Sequence, residues 1–187
     1  MSRINTLTYV TGNEKKFKVA EEVLRESGIL LRQEHLHTPE IQSCRVEEVA
    51  EYSAIWASQY LSQPVVVTDA GFYIEALNGF PGPFIKFINE WFSAQDFLSL
   101  MQGKNNRQIL IRDCLAYCQP NEKPVTFCRV YRGMLATEPG RKRSTPIEQV
   151  FIPEGYSVPA SEIPPEEMLM YWSNVSAWQE LKQYLEA

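Results

Sequence analysis

The spacing of hydrophobic residues in the first part of the chain changes repeatedly between the period of a strand and that of a helix. An apolar run over 7–10 predicts a strand, and the pattern over 14–27 predicts a helix directly after it. A strand over 29–35 and a helix over 46–61 repeat this succession. Alternation of this kind is typical of an α/β fold.

The middle of the chain predicts further elements of both kinds. A short buried strand over 65–67 is followed by a turn-rich stretch and by helices over 84–92 and 94–101. Two β-prone runs, over 107–117 and 125–131, predict strands joined as a hairpin with a longer loop. We therefore predict a mixed sheet with helices packed on it.

The last part of the chain has weaker periodicity. The stretches 133–149 and 157–167 predict loops, and the first of them is basic at its centre. An apolar stripe over 173–185 predicts a final helix that faces the core. Neither a repeat nor a low-complexity segment divides the sequence, so residues 1–187 are predicted to form a single domain.

Composition and charge narrow the classes of partner. Of the 187 residues, 44% are hydrophobic, which suffices for a sizeable core, and the net charge of −5 disfavours polymeric nucleic acid as a partner. No apolar run is long enough to span a membrane, and the N-terminus predicts a strand rather than a secretory signal. Cys44, Cys114, Cys118 and Cys128 have neither zinc spacing nor a disulfide-framework pattern, so we predict buried reduced thiols and a cytoplasmic protein.

The first candidate site is the turn Thr11-Gly12-Asn13 between the first strand and the first helix. A helix N-terminus attracts anions, a glycine lets the backbone approach one, and the lysines that follow add mobile positive charge. The alternative is purely structural: Asn13 caps the helix and the lysines are solvated. The stretch alone leaves both interpretations open.

Three acidic residues are candidates for the same site. Glu40 follows a proline in a predicted loop, and Asp69 follows a buried strand directly. Glu47 lies in the first turn of a helix, where acids are common for electrostatic reasons, so a structural role is favoured for it. Carboxylates that face a loop rich in hydroxyl, amide and lysine groups suit a polyphosphate bound with Mg²⁺.

Several motifs then occur in a specific order, and together they span nearly the whole chain. They read VTGNEKKF, TPEIQ, VVVTDAG, ALNGFPGPFIKF, YRG and VFIPEGY. This ordered set resembles the inosine triphosphate pyrophosphatase family, whose members hydrolyse deaminated purine nucleoside triphosphates. The resemblance implies an elongated, curved mixed sheet flanked by helices, with two lobes around a cleft, and a homodimer.

The resemblance also implies roles for individual residues. Polyphosphate would be bound by Thr11, Gly12, Asn13, Lys16 and Lys86. Glu40 and Asp69 would be Mg²⁺ ligands, and Asp69 and Lys16 would be catalytic. The implied reaction is attack of water between the α and β phosphates, which gives a nucleoside monophosphate and pyrophosphate.

This sequence departs from the family pattern at several positions. Thr68 stands where the family has the first acid of a pair, and the residues that read the purine base in the family are replaced. The candidates for the altered base pocket are Thr145, Ile147, Glu148, Ser173 and Asn174. We therefore predict a base specificity shifted away from inosine and xanthosine. The alternatives are a nucleotide-binding or interaction protein without catalysis, and a scaffold dimer with a vestigial pocket.

Overall fold

In a computed structural model of the chain, residues 6–39, 41–142 and 144–186 are described. The strands are β1 (Thr6–Val10), β2 (Leu30–Glu34), β3 (Val65–Ile74), β4 (Pro81–Gly82), β5 (Gln108–Cys118), β6 (Val125–Leu135) and β7 (Phe151–Pro153). The α-helices are α1 (Glu14–Leu24), α2 (Val46–Leu61), α3 (Ile85–Trp91), α4 (Ala94–Leu100), α5 (Pro146–Val150), α6 (Pro165–Val175) and α7 (Trp178–Glu186). Short 3₁₀ turns cover Glu75–Leu77 and Ala160–Glu162.

All of these strands belong to one sheet. Its order is β2-β1-β3-β5-β6-β7, and the short β4 pairs with β3. β1 is parallel to both β2 and β3, whereas β4 is antiparallel to β3 and β7 is antiparallel to β6. The prediction of a mixed sheet with packed helices is confirmed.

The chain forms two compact units. The first unit comprises Met1–Asp69, Asp113–Arg129 and Leu169–Ala187, and the second comprises Ala70–Arg112 and Val130–Met168. β3, β5 and β6 each contribute residues to both units.

The first unit has a hydrophobic cluster on each face of the sheet. Alternate residues of a strand point to opposite faces. Leu7 and Tyr9 accordingly join one cluster with residues of α1 and α7, while Val10 joins the other cluster with residues of α2. Leu7 and Tyr9 are fully buried, and burial of such side chains stabilises the fold by about 1.5–3 kcal/mol each.

Aromatic residues form the core of the second unit. The ring centroid of Phe72 lies 6.3 Å from that of Phe97 and 6.0 Å from that of Phe151, both in edge-on geometry. Gly133 of β6 has no room for a side chain, because a Cβ there would lie 2.4 Å from the Ile152 carbonyl oxygen on β7. Close contact between these two strands therefore requires glycine.

The predicted strand over 65–67 was too short. β3 continues to Ile74, so Asp69 lies within the strand and not at its end. The reason is a change of partner: Tyr9 pairs with Val66 in the parallel part, whereas Phe72 pairs with Gly82 of β4 in the antiparallel part.

The predictions for the last part of the chain were wrong at three places. β6 extends to Leu135, because Gly133–Leu135 pair with β7. α5 interrupts the predicted loop over 133–149, because Thr145 and Glu148 cap its first turn and a proline begins it. In place of a loop over 157–167 and one helix over 173–185, a 3₁₀ turn covers Ala160–Glu162, α6 runs from Pro165 to Val175, and α7 begins at Trp178.

The prediction of four reduced thiols was also wrong. Cys114 of β5 and Cys128 of β6 form a disulfide, with 4.2 Å between their Cα atoms. Sequence spacing hides this pairing, because the two cysteines are brought together by adjacent strands. Cys44 is free and exposed, and Cys118 is free and buried. Within the described ranges, no helix is both long and apolar enough to cross a membrane.

Candidate functional site

The turn between β1 and α1 is tied to the neighbouring strand by its backbone. The Thr11 amide donates a hydrogen bond of 3.1 Å to the Glu34 carbonyl oxygen, and Gln33 Nε2 donates one of 3.1 Å to the Thr11 carbonyl oxygen. One backbone acceptor and one side-chain donor of β2 therefore fix the position of Thr11, where the turn begins.

Asn13 caps α1, as one of the two interpretations of the sequence predicted. Its Oδ1 accepts hydrogen bonds from the amides of Lys15 (3.0 Å) and Lys16 (3.1 Å), while its own amide donates to Thr11 Oγ1 at 3.1 Å. Two amides of the first helical turn are thus occupied by the chain itself. An anion at this turn would be held by the neighbouring side chains and the remaining backbone rather than by those amides.

The fold does not require a glycine at position 12 of this turn. It is exposed, and a Cβ built on it would have no heavy atom within 4 Å. Its φ lies outside the left-handed region that favours glycine, in contrast to Gly28, where φ is 74°. The open space over Gly12 allows a ligand to approach the backbone closely.

The side chain of Lys16 points toward β3. Its Nζ donates a hydrogen bond of 3.4 Å to Thr68 Oγ1, and the same hydroxyl lies 2.6 Å from the Tyr9 hydroxyl. Lys16 and Thr68 are half-buried, whereas Tyr9 is fully buried. The ammonium group therefore lies beside Thr68, which the sequence predicts to stand in place of the first acid of the family pattern.

The pKa of Tyr9 is shifted by burial and by the neighbouring polar and charged groups. Burial raises this pKa well above its ordinary value, a hydrogen bond with Thr68 opposes the rise, and the negative charge of Asp113 adds to it. A hydrogen bond with the Thr11 side chain lowers it again. The phenol is therefore neutral and lies near Thr68 of β3 and Thr11 of the turn after β1.

Asp69 follows Thr68 on β3 and is half-buried. Because successive strand residues point to opposite faces, Asp69 is on the face of Val67, and Thr68 is on the face of Val66. Glu47 lies in the first turn of α2, where its Oε1 accepts a 3.0 Å hydrogen bond from Arg45 Nε. This contact agrees with the structural role predicted for Glu47. Glu40 lies outside the described residues.

The side chains of this region supply only part of the oxygen ligands that a Mg²⁺ ion needs. Among the described residues, no group of three or more His, Cys, Asp or Glu side chains is arranged to hold a metal ion. Mg²⁺ usually needs one or two carboxylates, with phosphate oxygens and waters as the other ligands. Asp69 supplies one such carboxylate, so the residues present fit a magnesium ion that a polyphosphate brings with it.

The other predicted phosphate ligand lies in the second unit. Lys86 is the second residue of α3 and is exposed. Its exposure agrees with a role that needs access to solvent, and its assignment to phosphate stays a prediction.

Three candidates for the base pocket belong to α5. Thr145 Oγ1 accepts a hydrogen bond from the Glu148 amide, and Glu148 Oε2 accepts one from the Thr145 amide. Ile147 is buried, and its amide donates to Asn89 Oδ1 at 3.3 Å. These contacts give all three residues a structural role in a capped helical turn.

The other two candidates lie on α6. The Ser173 hydroxyl is buried and donates a 2.8 Å hydrogen bond to the Leu169 carbonyl oxygen one turn earlier. Asn174 is exposed. Of this pair, Asn174 is the side chain that solvent and ligands can reach.

Two residues near the turn, Tyr9 and Asp113, were not identified from the sequence as part of the site. The signal for Tyr9 was a polar aromatic residue between Thr8 and Val10 in a predicted strand. The signal for Asp113 was a charged pair, with Arg112, inside the apolar strand β5. Both became visible only when β1, β3 and β5 were placed side by side.

Comparison with known proteins gives consistent matches over the chain. The model of the Ham1 family matches residues 7–184. A protein of Methanopyrus kandleri named dITP/XTP pyrophosphatase is 38% identical over 159 residues, which are 85% of each chain. A protein of Thermococcus kodakarensis with the same name is 35% identical over 161 residues, or 86% of each chain.

Solved structures agree with the fold. A HAM1 protein from Coxiella burnetii matches with a TM-score of 0.83 at 22% identity, covering 98% of this chain and 100% of its own. The Ham1 protein of Staphylococcus aureus matches with a TM-score of 0.78 at 16% identity, covering 97% and 98%. At these identities the structures are evidence for the fold alone.

Proposed function

Because this chain belongs to the Ham1 family, the inosine triphosphate pyrophosphatase family that its motifs predicted, we propose that it is a nucleoside triphosphate pyrophosphatase. Its substrate is a nucleoside triphosphate, and its products are the nucleoside monophosphate and pyrophosphate. The named activity of the relatives, pyrophosphate release from dITP and XTP, supports the reaction type.

The observation that carries this proposal is the open space above Gly12 beside the Lys16 ammonium. The fold needs neither a glycine there nor a lysine facing Thr68, yet both features serve a polyanion. Thr11 and Asn13 hold the turn rigid through their own hydrogen bonds, so an arriving phosphate meets a preorganised backbone.

The chemical step needs a group that takes a proton from water. Water attacks the α-phosphorus, its proton passes to the Asp69 carboxylate, and the bond from that phosphorus to the bridging oxygen breaks as pyrophosphate leaves. Asp69, with Glu40, would hold Mg²⁺, which supplies neutralisation of phosphate charge. Lys16 adds a fixed positive charge on the phosphates, and such preorganised charge is a large part of catalysis.

We propose further that the base specificity differs from that of the named relatives. A site that reads polar edges of a base needs unpaired donors and acceptors. Thr145 and Glu148 hydrogen-bond to each other's amides in the α5 cap, and Ser173 hydrogen-bonds to its own helix. These contacts support a pocket that no longer reads the 6-oxo edge of inosine or xanthosine.

One experiment decides both parts of the proposal. The purified chain is assayed for pyrophosphate release with Mg²⁺ on a panel of ribo- and deoxyribonucleoside triphosphates, with Asp69→Asn as the matched inactive variant. Release from some nucleotide supports the pyrophosphatase. Turnover of inosine or xanthosine nucleotides far above all others would instead give the specificity that the relatives' names carry.

A second function, nucleotide binding without catalysis, is favoured by one observation. Thr68 gives Lys16 a neutral partner where the family pattern has an acid, so one carboxylate is missing from the site. If no nucleotide of the panel releases pyrophosphate while calorimetry detects nucleotide binding, this second function replaces the first.

The remaining parts of the proposal concern assembly and location. We propose a homodimer, which the resemblance to the family implies, and sedimentation of the purified chain tests it. We place the enzyme in the cytoplasm because its substrates are nucleoside triphosphates. The argument from four reduced thiols no longer contributes, since Cys114 and Cys128 form a disulfide.

A further inference from the structure

The Tyr9 hydroxyl is a buried polar group that the proposed reaction does not use. Its ring is fixed by Trp178, with ring centroids 4.9 Å apart in edge-on geometry, and by Phe17 at 6.4 Å. The side chain is fully buried, and a buried phenol is costly unless its hydroxyl has a partner. The partner is Thr68, whose Oγ1 lies 2.6 Å away.

The directions of the hydrogen bonds around Thr68 are limited by chemistry. An ammonium group has only donors, so Lys16 Nζ donates and Thr68 Oγ1 accepts. Tyr9 has one proton, and the hydroxyl oxygen of Thr68 is its hydrogen-bond partner. A buried phenol proton with no acceptor is excluded by its desolvation cost.

One arrangement satisfies these limits. Tyr9 donates to Thr68, so Thr68 Oγ1 accepts hydrogen bonds from both Tyr9 and Lys16. The Thr68 proton is then left for a ligand.

We propose that Tyr9 is a positioning residue that holds Lys16 toward the phosphates through Thr68 of β3. The Tyr9 proton occupies one lone pair of Thr68 Oγ1 and fixes the orientation of this hydroxyl. The other lone pair then faces the Lys16 ammonium and holds it toward the phosphate. A neutral threonine in this way does part of the work of the missing carboxylate. This inference rests on the proposed function of the turn as a phosphate site.

The test replaces Tyr9 by phenylalanine, which keeps the ring contacts and removes only the hydroxyl. We expect the affinity for inorganic triphosphate, measured by calorimetry, to fall about three- to tenfold. With whichever substrate the panel identifies, KM should rise by a similar factor while kcat changes by less than about twofold, as for a lost binding interaction.

Tyr117→Phe is the matched control. Tyr117 is 3% exposed and packs in the same hydrophobic cluster as Tyr9, but its hydroxyl has no hydrogen-bond partner among the described residues. The same chemical change there should leave triphosphate affinity and KM unaltered. If both variants lose affinity equally, the effect belongs to the core and the inference fails.

A double-mutant cycle separates positioning from packing. Thr68→Val keeps the shape and removes the hydroxyl, so Tyr9→Phe should have almost no further effect on triphosphate affinity in that background. Equal losses in both backgrounds, or an unchanged affinity of the single Tyr9→Phe variant, would overturn the inference. Binding is measured without turnover, so a wild type that binds triphosphate but releases no pyrophosphate would contradict the proposed reaction and not this coupling.

Discussion

The Nζ atom of Lys16 lies 3.4 Å from the hydroxyl oxygen of Thr68, so the ammonium beside the turn that we propose for polyphosphate faces a neutral oxygen. Beside a neutral neighbour, the positive charge of a lysine is not compensated and attracts an anionic ligand fully. Beside a carboxylate, the negative charge compensates it and weakens that attraction. The residue at position 68 therefore sets how much positive charge the turn presents.

Thr68→Asp should weaken the binding of inorganic triphosphate in the absence of Mg²⁺ by about tenfold. The new carboxylate pairs with Lys16 and repels the ligand. Calorimetry measures the affinity, and Thr68→Asn, which adds a polar group of similar size without charge, is the control. Equal affinities of the Asp and Asn variants would show that Lys16 does not bind the phosphates.

Gly12→Ala should lower triphosphate affinity without destabilising the protein. A methyl group at Gly12 meets no protein atom within 4 Å, so only a ligand can clash with it. Gly28→Ala is a control with the opposite expected outcome. A Cβ at Gly28 also has open space, but φ there is 74°, which an alanine adopts at a cost. This variant should therefore lose about 1 kcal/mol of stability and bind triphosphate normally. Urea unfolding and calorimetry on both variants check this pair of outcomes, and a Gly12→Ala variant that binds normally would refute the phosphate assignment.

Asp69→Asn should abolish most turnover while affinity for the nucleotide falls much less. Asparagine keeps the size of the side chain but cannot accept the proton of the attacking water, and such a loss typically costs about 10²–10⁴-fold in rate. Pyrophosphate release and nucleotide affinity are measured together on wild type and variant. Glu47→Gln, at a carboxylate engaged by Arg45, is the control that should retain turnover. Normal turnover of Asp69→Asn would make Asp69 a structural residue of β3.

Acid should remove part of the stability of α4. The Ser93 hydroxyl and amide hydrogen-bond to the Asp96 carboxylate and hold the pKa of Asp96 below its ordinary value of 3.8. A lowered folded pKa means that the contribution is complete above 3.8 and is lost as the pH falls through the folded pKa. Urea midpoints of wild type and Asp96→Asn should differ near neutral pH and converge in strong acid. A difference that stays constant down to the lowest pH would contradict the cap, and Glu90→Gln on the exposed face of α3 is the control.

Thiol counting should distinguish the four cysteines. The native protein should react rapidly at Cys44 alone, because Cys118 is buried and the other two are bonded. Denaturation without reductant should expose Cys118 as well, and reduction should release Cys114 and Cys128. A chromogenic thiol reagent gives the three counts. Four reactive thiols in the denatured, unreduced chain would mean that the disulfide is absent.

The sequence predicted those features that depend on neighbours in the chain. α2 has the predicted bounds, because one apolar period runs through all of it, and Asn13 caps α1 through contacts two and three residues away. The family was likewise readable from ordered motifs. Each of these features is determined by residues close to one another in the chain, so it can be predicted from the sequence.

Features that depend on distant partners were not predictable in the same way. β3 was cut short because its second half pairs with β4, which is only two residues long. The Tyr9 partner is 59 residues away, and the Cys128 partner is on another strand. The capping box of α5 was local, yet the proline and charged residues around it favoured a loop. For β3, Tyr9 and Cys128, the sheet supplied a contact that no periodicity contains.

The open position at Gly12 also has an evolutionary consequence. Since an alanine there would touch nothing in the folded chain, folding exerts no selection on this residue. In a lineage that no longer bound phosphate, substitution of Gly12 would leave folding undisturbed, whereas Thr11 and Asn13 would still be needed for the hydrogen bonds of the turn. The residue at this position in a related protein therefore indicates whether that protein still binds phosphate.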